Sequence, residues 1–439
     1  MNTALPFVRG DQETIDRIEA FLRDEKLSVD IFASRSGRQG QTVMALDRTQ
    51  PALVAGQRVT VDVVVRNKGV GHTFPGGTND SNEGWLEFSV LDEEGSVLAV
   101  SGWVGDNGHL DPMAHVFKSL LLDKGGNPIQ RRNAQDIHTT VFANVIAPGT
   151  ADIAHYEFVV PRELAGRTLT LTARLLWRKF DRHYTEFAFR ANREGFKRFD
   201  DVPDLPITEI AADEVRLSVA STAPASNSLV TDSDSSQWVR YNDYGIGLLL
   251  EDDTRGAARA FAAVVRLQPG RIDGPLNLAK TAARDGNLEA AYEYLRQAEA
   301  IAAGDPQAAW VWGVVLQEDG RYDAAVSAYR RVLEVFPGDR AAWRNLGRTY
   351  YLSQQYEDAL AALDEVLRID PEDRISHYHR MLCYRALGLE QQAARAAAAY
   401  EVYAIDESAQ EITRSYRQRN PGANLMAQKI RTHRLTISQ

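Results

Sequence analysis

The sequence has few of the residues that fix a fold covalently or anchor it in a bilayer. It holds one cysteine, Cys383, in 439 residues. A single cysteine excludes an intrachain disulfide, a Cys-x-x-Cys redox pair, a cysteine zinc cage and thioether-attached haem within this chain. No apolar run approaches the roughly 18 residues that a membrane span needs. Residues 1–6 also lack the basic and apolar parts of a signal peptide.

Basic residues are outnumbered by acidic ones, 50 against 60, for a net charge of −10. This balance argues against a nucleic-acid-binding protein, which needs a clustered basic surface. The chain contains no nucleophile elbow, no His-Glu-x-x-His zinc motif and no phosphate-binding loop. Its length and its 44% hydrophobic content fit two or three globular domains.

The clearest boundary in the chain is residues 220–237, with the sequence ASTAPASNSLVTDSDSSQ. Small and polar residues dominate it and it has almost nothing to bury, so it is predicted to be a flexible linker. Hydrophobic periodicity differs on the two sides of this segment.

Downstream, alanine recurs every 34 residues, at Ala257, Ala291, Ala325, Ala359 and Ala393. Glycines stand twelve residues before three of these alanines and prolines twelve residues after three of them, at Gly245, Gly313, Gly347, Pro269, Pro337 and Pro371. This pattern resembles the tetratricopeptide repeat, in which each unit is a pair of antiparallel helices. The resemblance predicts an all-α solenoid of about five repeats over residues 238–407, with a capping helix and tail at 408–439. Cys383 falls within a repeat helix and is expected to be buried.

Upstream, apolar residues alternate with a period of two, as in residues 61–65 and 85–90. Short alternating segments separated by turns predict an antiparallel β-sandwich of the immunoglobulin or fibronectin type over residues 27–219. A short helical segment, residues 1–26, precedes it, with Ile15, Ile18, Phe21 and Leu22 on one face of the helix 11–26. Residues 103–135 are polar and irregular and are expected to leave the sandwich as a long loop.

One segment of the upstream half, residues 69–83, reads GVGHTFPGGTNDSNE and leads into Trp85-Leu86-Glu87-Phe88. It resembles the region that follows the haem-binding part of multihaem c-type cytochromes related to cytochrome c-554 that carry tetratricopeptide repeats. The resemblance implies a periplasmic or extracytoplasmic location. The chain has no Cys-x-x-Cys-His motif, so haem c is expected on an upstream segment or on a partner, unless the chain is a haem-free relative.

Histidines and oxygen ligands in this half are candidates for binding a haem iron or a metal ion. The haem-ligand or metal candidates are His72, His109 and His115, since imidazole binds both. Asp80, Asn82 and Glu83 are candidates for Ca²⁺, which prefers oxygen ligands. The alternative is that the histidines make ordinary hydrogen bonds and that the acidic run is a solvated turn.

In the repeat half, function is expected on the first helix of each hairpin. Residues at the inward positions include Asn242, Gln317 and Tyr378, and the predicted partner-binding residues are Lys280, Arg284, Trp310, Arg344, Arg348, Tyr351 and Arg385. Basic and aromatic residues together predict a groove for an acidic or C-terminal peptide. The alternative is that the arginines pair with acidic residues on neighbouring helices.

The sequence therefore favours a non-catalytic protein–protein interaction scaffold. The resemblance makes it an accessory part of a multihaem electron-transfer system, with a haem-bearing segment or subunit as one partner. A Ca²⁺-dependent or sugar-binding β-sandwich, an enzyme, and a cytoplasmic repeat scaffold without a redox link remain open at this stage.

Overall fold

The computed structural model describes residues 2–37, 40–192, 198–222, 234–404 and 407–437. The chain divides into two compact units. The first, called here the β-rich unit, combines Met1–Asp253 with Glu407–Gln439, and the second, the repeat unit, comprises Thr254–Asp406. Most of the predicted linker, residues 223–233, lies outside the described residues.

Strands occur only in the β-rich unit of the described chain. They cover Leu27–Ser36 (β1), Thr42–Met44 (β2), Leu53–Val54 (β3), Arg58–Asn67 (β4), Glu83–Leu91 (β5), Val97–Ser101 (β6), His115–Phe117 (β7), Ser119–Leu122 (β8), Thr139–Ala143 (β9), Ala151–Val159 (β10), Thr168–Arg178 (β11), Ile207–Ala220 (β12) and Thr432–Arg434 (β13).

Helices occur in both units. They cover Ala4–Arg9 (α1), Gln12–Arg23 (α2), Leu46–Thr49 (α3), Arg182–Ala191 (α4), Trp238–Leu250 (α5), Thr254–Leu267 (α6), Asp273–Arg284 (α7), Leu288–Ile301 (α8), Pro306–Glu318 (α9), Tyr322–Val335 (α10), Arg340–Leu352 (α11), Tyr356–Ile369 (α12), Arg374–Ala386 (α13), Glu390–Val402 (α14), Glu407–Arg419 (α15) and Pro421–Met426 (α16).

The described strands form two larger sheets and one small one. The first sheet has the order β13-β10-β4-β1-β2, and the second has the order β3-β12-β11-β5-β6 with β7 also on β5. Most neighbours are antiparallel, but β13 runs parallel to β10 and β3 runs parallel to β12. β8 and β9 pair with each other, so the predicted loop 103–135 contains short strands. The β-rich region that the alternation predicts is present.

The first sheet is buried on both faces. Val61, Val63 and Val65 of β4 join residues of the second sheet in one apolar core. The residues between them point the other way, towards α5, because side chains alternate along a strand. On that face the ring of Phe32 lies 5.1 Å from the ring of Tyr241 in α5.

The N-terminal helix is present as α2, shorter than the predicted 11–26. Asp11 caps it by accepting a hydrogen bond from the backbone N–H of Thr14 at 3.0 Å. Ile15 and Leu22 are buried, as their spacing predicts, but Phe21 is 53% exposed. Its ring lies under the ammonium group of Lys26, 5.3 Å from the ring centre.

Helical hairpins form the repeat unit, as the 34-residue period predicts. The recurring alanines lie at the points where helices pack, and Ala291, Ala325 and Ala359 have no exposed surface. A Cβ atom at Gly313 would come within 2.6 Å of the Tyr329 ring, so glycine is required for this close approach. Cys383 is fully buried, as predicted, and burial raises the pKa of its thiol to about 11.

Two segments predicted to belong to the solenoid belong instead to the β-rich unit. The first is α5, the expected first helix of repeat one, whose aromatic face packs on the first sheet. The second is residues 408–439, the expected cap. Instead α15 packs against β9, and β13 adds a strand to β10. Both segments cover apolar or unpaired parts of a sheet, which gives them a partner that local sequence patterns do not reveal.

In the described part of the chain, no helix has both the length and the apolar character needed to cross a bilayer.

Candidate functional site

The predicted partner-binding residues lie on the first helices of the repeat hairpins, α7, α9, α11 and α13. They differ in how accessible they are. Lys280 is half-buried, and its ammonium group donates to Asn277 Oδ1 at 3.2 Å. Burial lowers the pKa of Lys280. The ring of Trp310 packs edge-on against Tyr329, with centroids 5.7 Å apart. Both side chains therefore take part in packing within the unit, while Arg284 is exposed at the end of α7.

Aromatic and basic side chains come together on α11 and α13. The ring of His379 lies 6.0 Å from that of Tyr351 and 5.6 Å from that of Tyr378. Arg348 stands one turn before Tyr351 on α11, and Arg385 stands two turns after Tyr378 on α13, so each shares a helix face with its aromatic neighbour. We call these five residues the basic–aromatic patch.

The electrostatics of the patch favour an anionic ligand. Arg348 and Arg385 are exposed, and neither makes an ion pair within the described residues. Burial lowers the pKa of His379, and the nearby charge of Arg348 lowers it further. The predicted alternative, arginines paired with neighbours, holds for Arg344, whose guanidinium lies 3.1 Å from Asp373. It does not hold for Arg348 and Arg385.

In the acidic run 80–83, the charge of Glu83 is already paired within the fold. Glu83 forms a buried ion pair with Arg178, whose other nitrogen donates to the carbonyl of Gly108 at 2.9 Å. The ammonium group of Lys118 lies 2.9 Å from Asp181. Burial opposes the charge on Lys118, but Asp181, Glu83 and Asp80 outweigh it and raise its pKa. The ammonium group of Lys118 thus already places a positive charge near these carboxylates.

Asn82 is buried in the same loop. It is 1% exposed, and its amide nitrogen donates to the carbonyl of Gly76 at 3.2 Å, while its Oδ1 accepts no hydrogen bond within the described residues. Ca²⁺ binding by Asp80, Asn82 and Glu83 therefore stays a prediction, in which Glu83 would have to be shared with Arg178.

The three histidine candidates have different surroundings. His115 is fully buried between Asp152, at 2.7 Å, and His433, at 3.0 Å, so no external group can reach either nitrogen. It is not a ligand for a haem outside this chain. His72 is exposed, and its Nδ1 lies 2.7 Å from the carbonyl of Thr73. Its Nε2 has no hydrogen-bond partner among the described residues.

The loop around His72 leaves little room for any other arrangement. A Cβ atom at Gly76 would come within 2.4 Å of the His72 ring, so the imidazole rests against a bare glycine backbone. The amide of Asn67 also donates to the carbonyl of His72 at 3.0 Å. The imidazole therefore lies at the surface against the backbone of Gly76.

His109 is part of a group that sequence analysis identified only in part. One ligand atom each from His109, His183 and Glu186 lie within 4.8 Å of one another. His183 and Glu186 stand three residues apart on α4, a helical spacing that could have suggested the pairing, but nothing local joins them to His109. His183 also borders a cavity of about 230 Å³ that is lined by Lys118 and Tyr416.

A buried charge network joins β4 and β10 to α5, and sequence analysis did not anticipate it. His155 Nδ1 lies 2.6 Å from Asp62, and His155 Nε2 lies 2.9 Å from Glu251. The hydroxyl of Tyr244 donates to Asp62 at 2.6 Å. Burial opposes charge on His155, but the two carboxylates outweigh it and raise its pKa to about 10. The imidazole is therefore charged at neutral pH and clamps α5 to the sheet.

A second network joins β10 to the C-terminal segment. Arg431 bonds Asp152, and although burial opposes the charge, Arg431 and His115 lower the pKa of this carboxyl to about 2. Burial and the neighbouring His115 lower the pKa of His433 to about 3, and its Nδ1 donates to the carbonyl of Met113 at 2.9 Å. These side chains connect structural elements and face no open site.

Comparison with known proteins supports the repeat half of this description. A tetratricopeptide repeat family model matches residues 311–374. No curated protein matches the chain. A crystal structure of MamA protein is 22% identical, with the alignment covering 38% of this chain and 92% of that chain at a TM-score of 0.35. A structure of MamA residues 41 to the end, from Desulfovibrio magneticus RS-1, is 19% identical and covers 41% and 96% of the two chains at a TM-score of 0.34. The chain contains tetratricopeptide repeats.

Proposed function

We propose that this chain is a non-catalytic scaffold whose repeat unit binds an acidic segment of a partner protein at the basic–aromatic patch. The observation that carries the proposal is the pair of exposed arginines, Arg348 and Arg385, which lack ion pairs within the described residues. They share helix faces with Tyr351 and Tyr378. Exposed guanidinium groups without an internal ion pair are available to a ligand of opposite charge.

The chemistry of the patch fits carboxylates. A guanidinium group forms two parallel hydrogen bonds with one carboxylate, which gives both energy and orientation. Tyr351 and Tyr378 offer rigid aromatic surface that can pack on the apolar part of a bound segment at little entropic cost. A side-chain carboxylate and a chain-terminal carboxylate meet the same two arginines, so the experiment must distinguish them.

Charge reversal at the patch should weaken peptide binding. The intact protein is tested against an array of acidic peptides, each with a free or an amidated C-terminus. Hydrogen bonds to charged groups contribute about 1.5–3 kcal/mol, so Arg348→Glu and Arg385→Glu should each weaken binding by at least about tenfold. Binding should also weaken as salt is raised. Fluorescence anisotropy with the retained peptides measures both effects.

Arg368→Glu is the matched control, because Arg368 is 65% exposed on α12, the second helix of the Arg348 hairpin. It should leave binding unchanged. Retention of no acidic peptide, or equal loss in the control, would rule out the patch as the binding site. A requirement for the free C-terminus identifies a terminal carboxylate as the ligand group.

A haem-bearing partner and an extracytoplasmic location belong to this proposal through the resemblance of residues 69–88. What supports the haem link is the exposed His72, whose imidazole has the free nitrogen that an iron ligand needs. A haem bound there would supply electron transfer. The chain itself would contribute the imidazole and the Gly76 surface that orients it.

A haem-c undecapeptide with one open axial position tests this link. Wild-type protein should shift the Soret band of the haem peptide on binding, and His72→Ala should remove the shift. His183→Ala, which also removes an exposed histidine of the β-rich unit, is the control and should bind like wild type. An unchanged spectrum with wild-type protein, or an equal loss in both variants, would refute His72 as a haem ligand.

We also propose the fibronectin-like class for the β-rich unit. Strand order supports it: β10-β4-β1 in one sheet face β12-β11-β5-β6 in the other, which matches the three-on-four arrangement of that class.

A further inference from the structure

We propose that His109, His183 and Glu186 of the β-rich unit bind a divalent transition-metal ion of the zinc type. This site is independent of the peptide-binding patch and of the haem link. It rests on three side chains from two separate parts of the chain, brought together by the fold.

The two ligands on the helix are placed by its regular geometry. His183 and Glu186 are three residues apart on α4 and therefore project from the same face. Asp181 fixes the start of α4, because its side chain caps the helix by accepting a hydrogen bond from the backbone N–H of Tyr184 at 2.9 Å. The positions of both ligands are therefore fixed by the start of the helix.

The third ligand comes from a tight turn. Gly105 donates its backbone N–H to the carbonyl of His109 at 2.9 Å, and Asn107 Oδ1 accepts from the N–H of His109 at 3.0 Å. This turn brings His109 Nε2 to 3.2 Å from Glu186 Oε1. The His109 ring lies 4.6 Å from the His183 ring, centroid to centroid.

These distances suit a tetrahedral ion. Zinc bonds nitrogen and carboxylate oxygen at about 2.0–2.2 Å, so its ligand atoms lie roughly 3.4 Å apart. The His109–Glu186 distance already has this value. The three atoms span at most 4.8 Å, and His183 is exposed, so a rotation of its ring can close the remaining gap.

The ligand set of two imidazoles and one carboxylate indicates which metal ions the site would prefer. Imidazole favours zinc, copper, nickel and cobalt over calcium or magnesium. Three protein ligands leave one position of a tetrahedron open. His183 also borders the cavity of about 230 Å³, so a small ligand or a side chain of a partner has space near that position.

Two arginines lie near the carboxylate of Glu186 and help to orient it. Arg182 Nε lies 3.4 Å from it, while Arg182 Nη1 lies 3.0 Å from Asp204. Arg190 lies 3.6 Å from the same carboxylate, and its side chain is mostly exposed. Arg182 is thus held by a second acid and stays beside the carboxylate when an ion binds. A group that hydrogen-bonds a ligating carboxylate is a usual outer partner of a metal site.

Titration of the intact, chelator-treated protein with zinc chloride tests the site. Calorimetry should show one saturable equivalent per chain in wild type. Loss of outer partners alone weakens metal sites by about 10–100-fold, so loss of the ligands themselves in His183→Ala and Glu186→Gln should weaken binding by at least about 100-fold. Substitution with Co²⁺ should give the visible absorption of a nitrogen- and oxygen-coordinated ion, absent in both variants.

His138→Ala is the matched control, since it removes a partly buried histidine of the same unit outside the group and should leave the zinc stoichiometry unchanged. His183 is exposed, so its variant is expected to fold, and circular dichroism checks this. Absence of saturable zinc binding would overturn the proposal. The same would follow if the equivalent persisted in a His109→Ala, His183→Ala double variant, or if His138→Ala lost it equally.

Discussion

A chain that ends at residue 406 is expected to lose the folded β-rich unit while its repeat helices stay folded. The C-terminal segment supplies β13, the only described neighbour of β10 on that edge of the first sheet. It also supplies Arg431, the buried partner of Asp152. The side chain of Met426 packs in a small core around the fully buried Trp85.

The expected loss is large compared with the stability of a domain. Removing one member of a buried ion pair costs about 3–5 kcal/mol, and removing a buried methionine side chain costs about 2–5 kcal/mol. A domain of this kind is stable by about 5–15 kcal/mol in total. Truncation should therefore leave the β-rich unit mostly unfolded.

Hydrogen exchange followed by mass spectrometry separates the two units. In the truncated chain, peptides from β10 and β4 should exchange fast, while peptides from α11 and α12 should keep their protection. Loss of protection in α13 and α14 with an intact β10 would instead support the capping helix that the repeat pattern predicts.

Point variants separate the effect of losing the buried ion pair from the effect of losing the strand β13. Arg431→Met should lower the unfolding free energy of the β-rich unit by about 3–5 kcal/mol, because Asp152 is left buried and without its charge partner. Arg434→Met, only three residues along and 81% exposed, should change it by less than about 1 kcal/mol. Similar effects of the two variants would contradict a specific role for the buried pair.

The second large effect expected is a loss of stability of the β-rich unit as pH rises from about 6.5 to 10. His155 has an ordinary pKa of 6.5 and a folded pKa of about 10. Below pH 6.5 both states carry the proton and the stabilisation is complete. Between pH 6.5 and 10 the unfolded chain has lost the proton while the folded protein still holds it, so stability falls with pH. At 1.36 kcal/mol per unit, the loss amounts to as much as about 5 kcal/mol.

Two other buried groups of α5, Asp243 and Tyr244, titrate outside this range. Burial raises the pKa of Asp243 to about 6, against the opposing charge of Arg66, so its contribution is already lost by pH 6.5. Burial and Asp62 raise the pKa of Tyr244 well above its usual value, so this hydroxyl stays protonated. The loss of stability between pH 6.5 and 10 should therefore reflect the titration of His155.

Glu251→Gln tests the cause of the pH dependence. Glutamine keeps a hydrogen-bond acceptor for His155 but removes one of the two negative charges, so the pKa of the imidazole should fall. A nearby opposite charge shifts a pKa by about 1–3 units, and the alkaline loss should begin at least about one pH unit lower. Hydrogen exchange of β10, corrected for the intrinsic rate at each pH, measures the stability. Glu94→Gln is the control, because Glu94 is 64% exposed.

A stability that stays constant from pH 7 to 10 would contradict a charged His155. Identical curves for Glu251→Gln and Glu94→Gln would show that Glu251 does not support the charge.

The elements that sequence analysis predicted correctly are those whose signal repeats along the chain. The 34-residue spacing of Ala325 and Ala359 predicts helical hairpins, because this period places a small residue at the same helix contact in every repeat. The alternation of Val61, Val63 and Val65 fixes a strand with one face in a core.

The elements that could not be predicted depend on contacts between distant residues. α5 carries the repeat spacing at Gly245, but its aromatic face packs on the first sheet. β13 has three residues and no recognisable sequence pattern. Its position is set by pairing with β10, in which Thr432 lies opposite His155, 277 residues earlier in the chain. In the same way Lys118 comes near the acidic run 80–83, and His183 meets His109, only after folding.

The contribution of β13 to the first sheet also sets the order in which the protein can fold during synthesis. The β-rich unit is discontinuous: its last strand leaves the ribosome only after the whole repeat unit has been made. The repeats have mostly local contacts and can form while translation continues, whereas β10 must wait with an unpaired edge. Nascent chains are thus exposed to edge-to-edge association for the time needed to synthesise the intervening 153 residues of Thr254–Asp406.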